Sequence, residues 1–334
     1  MRDTFDGAFI LDIARRFDSD AEGIQFIRKS HNYIYKVTSP RSFYLRITSD
    51  THRTRGELES EMHLLNYLHD SGADVVTPIP ALNGETLISL TNYCGEYYAA
   101  AFTEAQGRDF MNRGSDIDHS VEIGAALGKL HKLTEGYSVP VSFSRRRDWS
   151  KSQHLVKAPE LFKRYDIRLY DAFFRHMDAM KLLENTDSNF GLTHGDFLLS
   201  NYLIDEDKRV TIFDFDECEY SWFAADLAIN MHCLLIAAQP LQLHTRTSDA
   251  VELHYRLLKG YSKHREIAPD MIFGLEPHFR TRDFIYISTI LESGELVGWN
   301  REMLDSASFR AINIKPFLEY DKEKCREFLI KSRA

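Results

Sequence analysis

The sequence predicts an α+β fold in which a small antiparallel sheet with one main helix precedes a larger, mostly helical region. Three observations predict this class. Apolar and polar residues alternate over roughly the first hundred positions, helical periodicity dominates after residue 107, and a short hairpin with acidic residues interrupts the helical part. The chain has 334 residues, of which 43% are hydrophobic, and can therefore bury a sizeable core.

Charge and cysteine content argue against several classes of protein. The formal net charge of −9 disfavours a nucleic-acid-binding protein, which would normally carry a basic face. The four cysteines are widely spread and form no CxxC pair, so neither a zinc site nor a disulfide framework is expected. Charges run through the apolar part of the N-terminus, which favours a short amphipathic helix over a signal peptide. We therefore expect a cytoplasmic protein that binds neither nucleic acid nor membrane, of unspecified oligomeric state.

The N-terminal part is expected to supply the sheet. Strands are predicted where apolar and polar residues alternate between turns, and one helix is predicted where leucines and a methionine share a face. Predicted strands cover residues 25–37, 42–48, 86–90 and 97–102, and the predicted helix covers residues 54–69.

The polar run at residues 103–107 marks a change in composition, after which most of the sequence has helical periodicity. We predict an N-terminal lobe over residues 1–102, a linker over 103–107 and a helical C-terminal lobe over 108–334; the family resemblance described below implies that the first lobe binds nucleotide and that the linker is its hinge. Within the C-terminal lobe, predicted helices cover residues 119–133, 158–183 as one helix or a pair, 226–238, 251–264, 280–299 and 320–332, with an irregular segment over 139–152.

A hairpin in the C-terminal lobe carries residues suited to phosphoryl transfer. Apolar runs at 202–204 and 210–213 predict two strands around a polar turn. Phosphoryl transfer needs a base that orients the attacking hydroxyl and hard oxygen ligands for Mg²⁺, and Asp196, Asn201 and Asp214 are of these types. Each short motif alone is equally compatible with a turn beside a strand, but their combination favours a catalytic site.

The motifs THGDFLLSN (193–201) and TIFDFDE (211–217) together resemble the signature of the aminoglycoside phosphotransferase and choline kinase-like family. These are small-molecule kinases with the protein-kinase fold, so the resemblance implies two lobes with ATP between them. It further implies that Asp196 is the catalytic base and that Asn201 and Asp214 bind Mg²⁺. ATP is the expected phosphoryl donor, although GTP is compatible with the same motifs.

Other residues near these motifs have supporting roles in this interpretation. His194 is expected to brace the catalytic loop through hydrogen bonds rather than to transfer protons. Asp216 is interpreted as a loop carboxylate, with metal binding as the alternative, and Asp226 lies where the family has an aspartate that hydrogen-bonds the catalytic loop.

The N-terminal lobe matches the family less closely. Arg46 stands where the family has a phosphate-binding lysine, and Glu61 resembles the helix glutamate that pairs with it. The loop at residues 28–32 has no glycine, so Ser30, His31 or Asn32 would have to donate to phosphate. By the same resemblance, the hinge assigns adenine contacts to the backbones of Thr103 and Ala105 and places Phe102 at the back of the pocket.

The sequence thus predicts an ATP-dependent phosphotransferase that modifies a hydroxyl of a small molecule. Glu217, Glu219, Tyr220 and Trp222 could line an acceptor site and would favour an amino-bearing compound such as an amino alcohol or an aminoglycoside. The run Arg145–Arg147 could meet an anionic substrate, although a solvated charge run is the favoured interpretation. The alternative function is a nucleotide-binding pseudokinase that serves as an interaction or assembly module, which Arg46 and the glycine-free loop would support.

Overall fold

The computed structural model describes residues 5–92, 95–109, 119–237, 247–268, 270–294 and 299–313, which form two compact units. The mixed composition of helices and strands confirms the predicted α+β class. The sheet unit consists of Met1–Arg108, Tyr137–Arg146 and Tyr202–Asp216, and the helical unit consists of Asp109–Gly136, Arg147–Asn201 and Glu217–Ala334.

An antiparallel sheet of six strands dominates the sheet unit. The strands are β1 (Gly23–Lys29), β2 (Asn32–Thr38), β3 (Phe43–Ser49), β4 (Pro78–Ile79), β5 (Ile88–Asn92) and β6 (Gly95–Thr103). Their order is β1-β2-β3-β6-β4, and β5 also pairs with β6. The register places Arg46 of β3 opposite Ala100 of β6, next to the strand end that enters the predicted hinge.

Two helices accompany the sheet, as the sequence predicts. Helix α1 (Gly7–Arg15) buries Ile10 and Ile13 in the apolar cluster that includes residues of β2, β3 and β6. Helix α2 (Arg55–Asp70) begins at a capping box, in which the hydroxyl of Thr54 accepts from the Glu57 backbone and the Glu57 carboxylate accepts from the Thr54 backbone. The leucine face of α2 is buried, and Glu61 lies on this buried side of the helix.

The prediction of one strand over residues 25–37 from alternation was wrong, and the break falls inside the loop at residues 28–32 that the family resemblance indicates. The structure divides this segment into β1 and β2, because the chain turns at Ser30 and His31, where the Ser30 N–H donates to the Asn32 carbonyl at 3.1 Å. No glycine, proline or Asn-Gly pair marks this turn, so the usual sequence signals of a hairpin are missing. The pairing of β1 with β2 also contains a register shift between Phe26 and Arg28.

The predicted hairpin is present within the sheet unit as β8 (Tyr202–Ile204) and β9 (Val210–Ile212). In its turn, Lys208 adopts a left-handed conformation with φ of 64°. The Asp205 carboxylate accepts from the Arg209 backbone N–H at 2.8 Å, which closes the turn without a glycine. Asp214 and Asp216 directly follow this hairpin in the chain.

The helical unit contains a further two-stranded sheet, β7 (Phe190–Thr193) with β10 (Glu219–Trp222). Two predicted helical segments differ in the structure. The segment 158–183 belongs to a pair of helices that starts earlier, at residue 153. The helix predicted over 280–299 starts earlier, at residue 275, and ends at Ser293, while the helix predicted at 320–332 lies outside the described residues. The helices are α3 (Ser120–Glu135), α4 (Gln153–Tyr165), α5 (Ile167–Lys181), α6 (Phe223–Ala237), α7 (Thr247–Tyr261), α8 (Asp270–Phe273), α9 (Leu275–Ser293) and α10 (Trp299–Asn313).

No helix in the described ranges is both long enough and apolar enough to cross a bilayer.

Helices α3 and α7 pack with their backbones in close contact. A Cβ added at Gly124 would lie 1.9 Å from the Leu257 carbonyl oxygen, and one added at Gly260 would lie 1.8 Å from the Val121 carbonyl oxygen. Both neighbours are backbone atoms of helices and cannot rotate away as a flexible side chain could. The close approach therefore depends on the absence of side chains at these positions.

We expect Gly124→Ala to destabilise the protein by about 2 kcal/mol or more, because the added methyl group must separate two helices that are packed backbone to backbone. Urea unfolding followed by circular dichroism measures this loss. Gly136→Ala at the end of α3 is the matched control, since its added Cβ would meet nothing within 4 Å, and its stability should stay within about 0.5 kcal/mol of the wild type. Equal stability of the two variants would contradict the packing argument.

Candidate active site

The loop after β7 is held by the buried carboxylate of Asp226 in the first turn of α6. Its two oxygens accept the backbone N–H groups of His194 at 2.7 Å and of Gly195 at 2.9 Å. Gly195 has a φ of 77°, and a Cβ there would lie 2.2 Å from the Glu217 carbonyl oxygen, so only glycine fits. The aspartate that the sequence marks as loop support therefore hydrogen-bonds the loop.

His131 of α3 extends this support. Its Nε2 lies 3.0 Å from the Asp226 carboxylate, and its Nδ1 lies 2.9 Å from the Tyr261 hydroxyl. Burial lowers the pKa of His131, which favours a neutral ring that donates to Asp226 and accepts from Tyr261. Burial alone would raise the pKa of Asp226, but the contacts with His131 and His194 together outweigh burial and lower that pKa. Asp226 thus remains an ionised acceptor for the loop.

Asp196 and Asn201 lie together within this loop. The Asn201 amide donates to the Asp196 backbone carbonyl at 2.9 Å and to its Oδ2 at 3.2 Å. The buried ring of His194 accepts from the Asp196 backbone N–H through Nδ1 at 3.3 Å, which is a bracing contact of the kind expected of it. Because the amide nitrogen of Asn201 is engaged by Asp196, its carbonyl oxygen is the part suited to a hard cation.

Arg282 of α9 is a site residue that sequence reasoning missed. Its Nη2 donates to Oδ1 of Asp196 at 2.9 Å, so the carboxylate has a partner on each oxygen. The carboxylate remains accessible, with 24% of the Asp196 side chain exposed. The two residues are 86 positions apart, and nothing in the local pattern of α9 distinguishes this arginine from the others.

The acidic residues after the hairpin are more neutralised than expected. Arg147 donates to Glu217, and its Nε lies 3.3 Å from the Glu219 carboxylate, so one guanidinium serves two carboxylates. Burial raises the pKa of Glu219 to about 7, although Arg147 opposes the shift. The expectation of a solvated arginine run was wrong for Arg147, and likewise for Arg146, which is buried and binds the backbone carbonyls of Glu57 and Asp216.

In the sheet unit, Arg46 and Glu61 form a buried bidentate ion pair. Nη1 and Nη2 of Arg46 lie 2.8 Å and 2.6 Å from the two carboxylate oxygens of Glu61. The guanidinium also lies 4.9 Å from the centre of the Phe102 ring. Burial would lower the pKa of Arg46, but Glu61 more than offsets this and raises it. The planar fork of arginine suits this arrangement in a way that a lysine ammonium would not.

Asp216 is buried and serves as the hub of a second network in the sheet unit. Its carboxylate accepts from Asn32 at 3.2 Å and Arg53 at 3.1 Å, and lies 2.7 Å from His52. Burial alone would raise the pKa of Asp216, but the contacts with His52 and Arg53 hold it well below its usual range. The amide of Asn32, which the resemblance directs toward phosphate, is therefore engaged by Asp216, and this contact ties the β1–β2 turn to the segment after β9.

Asp214 also lies in the sheet unit, with a φ of 66° that is uncommon for a residue other than glycine. Its Oδ2 accepts from Arg28 of β1 at 2.6 Å, and Arg28 is a second residue that sequence reasoning gave no role. The carboxylate is 25% exposed, and its oxygens are of the hard type that Mg²⁺ prefers.

The remaining predicted residues lie in the sheet unit, around β6 and the β1–β2 turn. Phe102 is buried beneath Arg46. The Thr103 N–H donates to the Thr77 carbonyl at 3.0 Å, so this amide is engaged within the sheet unit. Ala105 is half-buried directly after β6, and Ser30 is exposed in its turn. Their assignment to adenine and phosphate stays a prediction.

Residues 23–261 match the sequence model described as the phosphotransferase enzyme family. Amicoumacin kinase of Bacillus subtilis (strain 168) is 24% identical over 279 residues, which cover 83% of this chain and 82% of that protein. Homoserine kinase of Nitrobacter winogradskyi is 26% identical over 217 residues, which cover 63% of this chain and 60% of that protein.

Solved structures confirm the predicted protein-kinase-like fold. The amicoumacin kinase hAmiN in complex with AMP-PNP, Ca²⁺ and Ami has a TM-score of 0.85 at 20% identity, over 96% of this chain and 97% of that chain. The microcompartment-associated aminopropanol kinase has a TM-score of 0.71 at 17% identity, over 98% of both chains.

The Arg46–Glu61 pair gives a test of stability. Arg46→Met or Glu61→Leu should each cost about 3–5 kcal/mol, because either change leaves a buried charge unpaired, whereas the double variant should recover most of the loss. Urea unfolding of the wild type, the two single variants and the double variant gives the coupling energy by a double-mutant cycle. The exposed i,i+4 pair of Arg164 with Glu160 is the control, and alanine substitutions there should show coupling of only about 0.3–0.5 kcal/mol. Additive losses at Arg46 and Glu61 would contradict a coupled pair.

Glu219 gives a test of pH dependence. Its folded-state pKa of about 7 lies above the ordinary value of 4.5, so its contribution to stability is fully present below about pH 4.5 and is lost as the pH rises through 7. Glu219→Gln should remove this slope and exceed the wild type in stability at pH 8, by at most about 3 kcal/mol. Unfolding free energies of the wild type and of Glu219→Gln between pH 4 and 8 measure this pH dependence. Exposed Glu160→Gln is the control, and an unchanged slope in Glu219→Gln would reject the assignment.

Proposed function

Because the chain belongs to the phosphotransferase enzyme family, we propose that it transfers the γ-phosphoryl group of ATP to a hydroxyl group of a small molecule. The observation that carries this proposal is the arrangement of Asp196, whose accessible carboxylate is held by Asn201 and Arg282 on a loop braced by Asp226. A preorganised carboxylate is what a kinase needs to orient the attacking hydroxyl.

Asp196 is the proposed base. Its carboxylate accepts a hydrogen bond from the acceptor hydroxyl and takes the proton as that oxygen bonds to the γ-phosphorus and the bond to ADP breaks. Hydrogen bonds on both carboxylate oxygens limit rotation of the side chain, so less orientation is needed during the reaction. His194 acts through the backbone of Asp196 and is a positioning residue.

Arg46 is the proposed phosphate-binding cation of the nucleotide site. Glu61 occupies one edge of its guanidinium, and the remaining buried Nε has no hydrogen-bond partner among the described residues. A buried cation that still has a free donor is suited to an anionic oxygen. Phe102, Thr103 and Ala105 are assigned to the adenine, and Ser30 with Asn32 to the phosphate loop, on the family resemblance.

Asn201 and Asp214 are the residues proposed to hold Mg²⁺. One amide oxygen and one carboxylate are a reasonable set of protein ligands for Mg²⁺, because this ion usually keeps several water molecules in its coordination shell. When bound, Mg²⁺ would neutralise charge on the transferred phosphoryl group. Arg28 would then have to leave the Asp214 carboxylate, at least in part, since a cation and a guanidinium would compete for the same oxygen.

The acceptor is proposed to be a hydroxylated metabolite or antibiotic that also carries an amino group. The names of the similar proteins point to amicoumacin, homoserine and aminopropanol as acceptors of those enzymes. In this chain, Glu217 and Glu219 lie close to Gly195 and share the single guanidinium of Arg147, so one negative charge stays uncompensated once the pH exceeds the Glu219 pKa of about 7. Excess negative charge favours an ammonium group.

We expect Asp196→Asn to lower kcat by about 10²–10⁴-fold while ATP affinity stays nearly unchanged, because only the base is removed. A screen of hydroxylated acceptors for Mg²⁺-dependent ADP release measures turnover, and calorimetry with AMP-PNP measures nucleotide binding. Asp207→Asn, in the exposed turn of the hairpin, is the matched control and should leave both quantities unchanged.

Full turnover by Asp196→Asn would reject the proposed base. If nucleotide binds but ADP release fails with every acceptor and also without acceptor, the pseudokinase alternative is favoured. Loss of acceptor-free ATP hydrolysis in Asp214→Ala would instead support the active enzyme.

A further inference from the structure

Arg282 has more hydrogen-bonding capacity than Asp196 uses. The contact with Oδ1 of Asp196 engages Nη2 alone, whereas a guanidinium has five N–H donors in a planar fork. The buried Nε has no hydrogen-bond partner among the described residues. With only 11% of its side chain exposed, Arg282 cannot hydrate these donors as a surface arginine would. A buried donor without a partner is costly, and its presence beside a catalytic base points to a ligand.

The surroundings of Arg282 hold the guanidinium in place without neutralising it further. Its guanidinium carbon Cζ lies 5.2 Å from the centre of the Tyr286 ring, whose face can hold a cation. Among the groups with the largest electrostatic effects on Arg282, only Asp196 is an ionised carboxylate. Burial raises the pKa of Tyr286 and of Cys233, so both are neutral near pH 7. Within the part of the chain that the structure describes, Asp196 is therefore the main counter-charge of Arg282.

This balance changes during the reaction. When Asp196 takes the proton of the acceptor hydroxyl, its negative charge is lost, and Arg282 becomes a buried cation without a counter-charge. A second anion on the guanidinium would compensate for that loss. An acceptor that carries an acidic group would bring such an anion in together with its hydroxyl.

We infer that Arg282 is a specificity-determining residue that binds a carboxylate of the acceptor, so that the preferred substrates are hydroxy amino acids or other hydroxylated carboxylic acids. This inference rests on the proposed function and narrows it. Arg282 uses one donor to orient Asp196 and also hydrogen-bonds Tyr286, and it offers its unpartnered Nε–H to the carboxylate, while the reacting hydroxyl meets Asp196. Hydroxyl and carboxylate are then separated by a short carbon chain, because a single guanidinium spans both contacts.

Matched acceptors that differ by one carboxylate test the inference. Homoserine and 3-aminopropan-1-ol form one pair, and threonine and 1-aminopropan-2-ol form another. The wild type should favour the carboxylated member of at least one pair by about tenfold or more in kcat/KM, because a site built for a charged group discriminates against its absence. In Arg282→Gln this ratio should approach one, and in Arg282→Lys it should be intermediate, since the ammonium keeps the charge but not the fork.

Arg280→Gln is the control, because Arg280 lies on the same helix and pairs with Glu276 within that helix. It should keep the wild-type ratio. Circular dichroism and AMP-PNP binding confirm that each variant is folded. Calorimetry gives a readout without turnover: Asp196→Asn in the presence of AMP-PNP should bind the carboxylated acceptor at least as tightly as the wild type, and Arg282→Gln should bind it about tenfold more weakly or worse.

An unchanged ratio in Arg282→Gln, with both acceptors losing activity equally, would show that Arg282 only positions Asp196 and would overturn the inference. A wild type that prefers the amino alcohols, or an Asp196→Asn variant that binds neither carboxylated acceptor, would overturn it as well. Phosphorylation of the amino alcohols in those cases leaves the proposed function standing. The proposed function itself fails if no acceptor is phosphorylated or if Asp196→Asn retains full turnover.

Discussion

The buried carboxylate of Asp226 is the constraint on which the candidate catalytic loop depends. It accepts two successive backbone N–H groups, at His194 and Gly195, and a hydrogen bond from His131. A short loop cannot satisfy its own amide groups, so an external acceptor at the start of α6 fixes its course. The position of Asp196 follows from this backbone, and the side chains of Asn201 and Arg282 then fix the plane of its carboxylate.

The same design recurs around Asp216 in the sheet unit. A buried carboxylate is costly in isolation, but Asn32, His52 and Arg53 surround this one with donors drawn from the β1–β2 turn and from the segment before α2. The segment after β9, which carries Asp214, is thereby attached to the turn that the family resemblance assigns to phosphate. We interpret Asp216 as a structural residue that holds these segments together, in agreement with the prediction of a loop carboxylate.

Arg46 stands where the resemblance implies a lysine, and the shape of its guanidinium as well as its charge allows it to pair with Glu61. Both Nη atoms of Arg46 contact Glu61 and the guanidinium lies over Phe102, while an ammonium would have offered a single point contact. The buried pair therefore does not require a lysine. It also shows why the substitution by itself is weak support for a pseudokinase.

The sequence by itself determined the fold class, most helices and strands, and the residues of the hairpin motifs, because these depend on local periodicity and on closely spaced polar side chains. It also marked Asp226 as loop support. Only the tertiary structure decided the partners of Asp196 and Asp214, since Arg282 and Arg28 lie 86 and 186 positions away from them. It likewise decided that residues 25–37 form two strands. Contacts between distant segments leave no local pattern, because they depend on how whole elements pack.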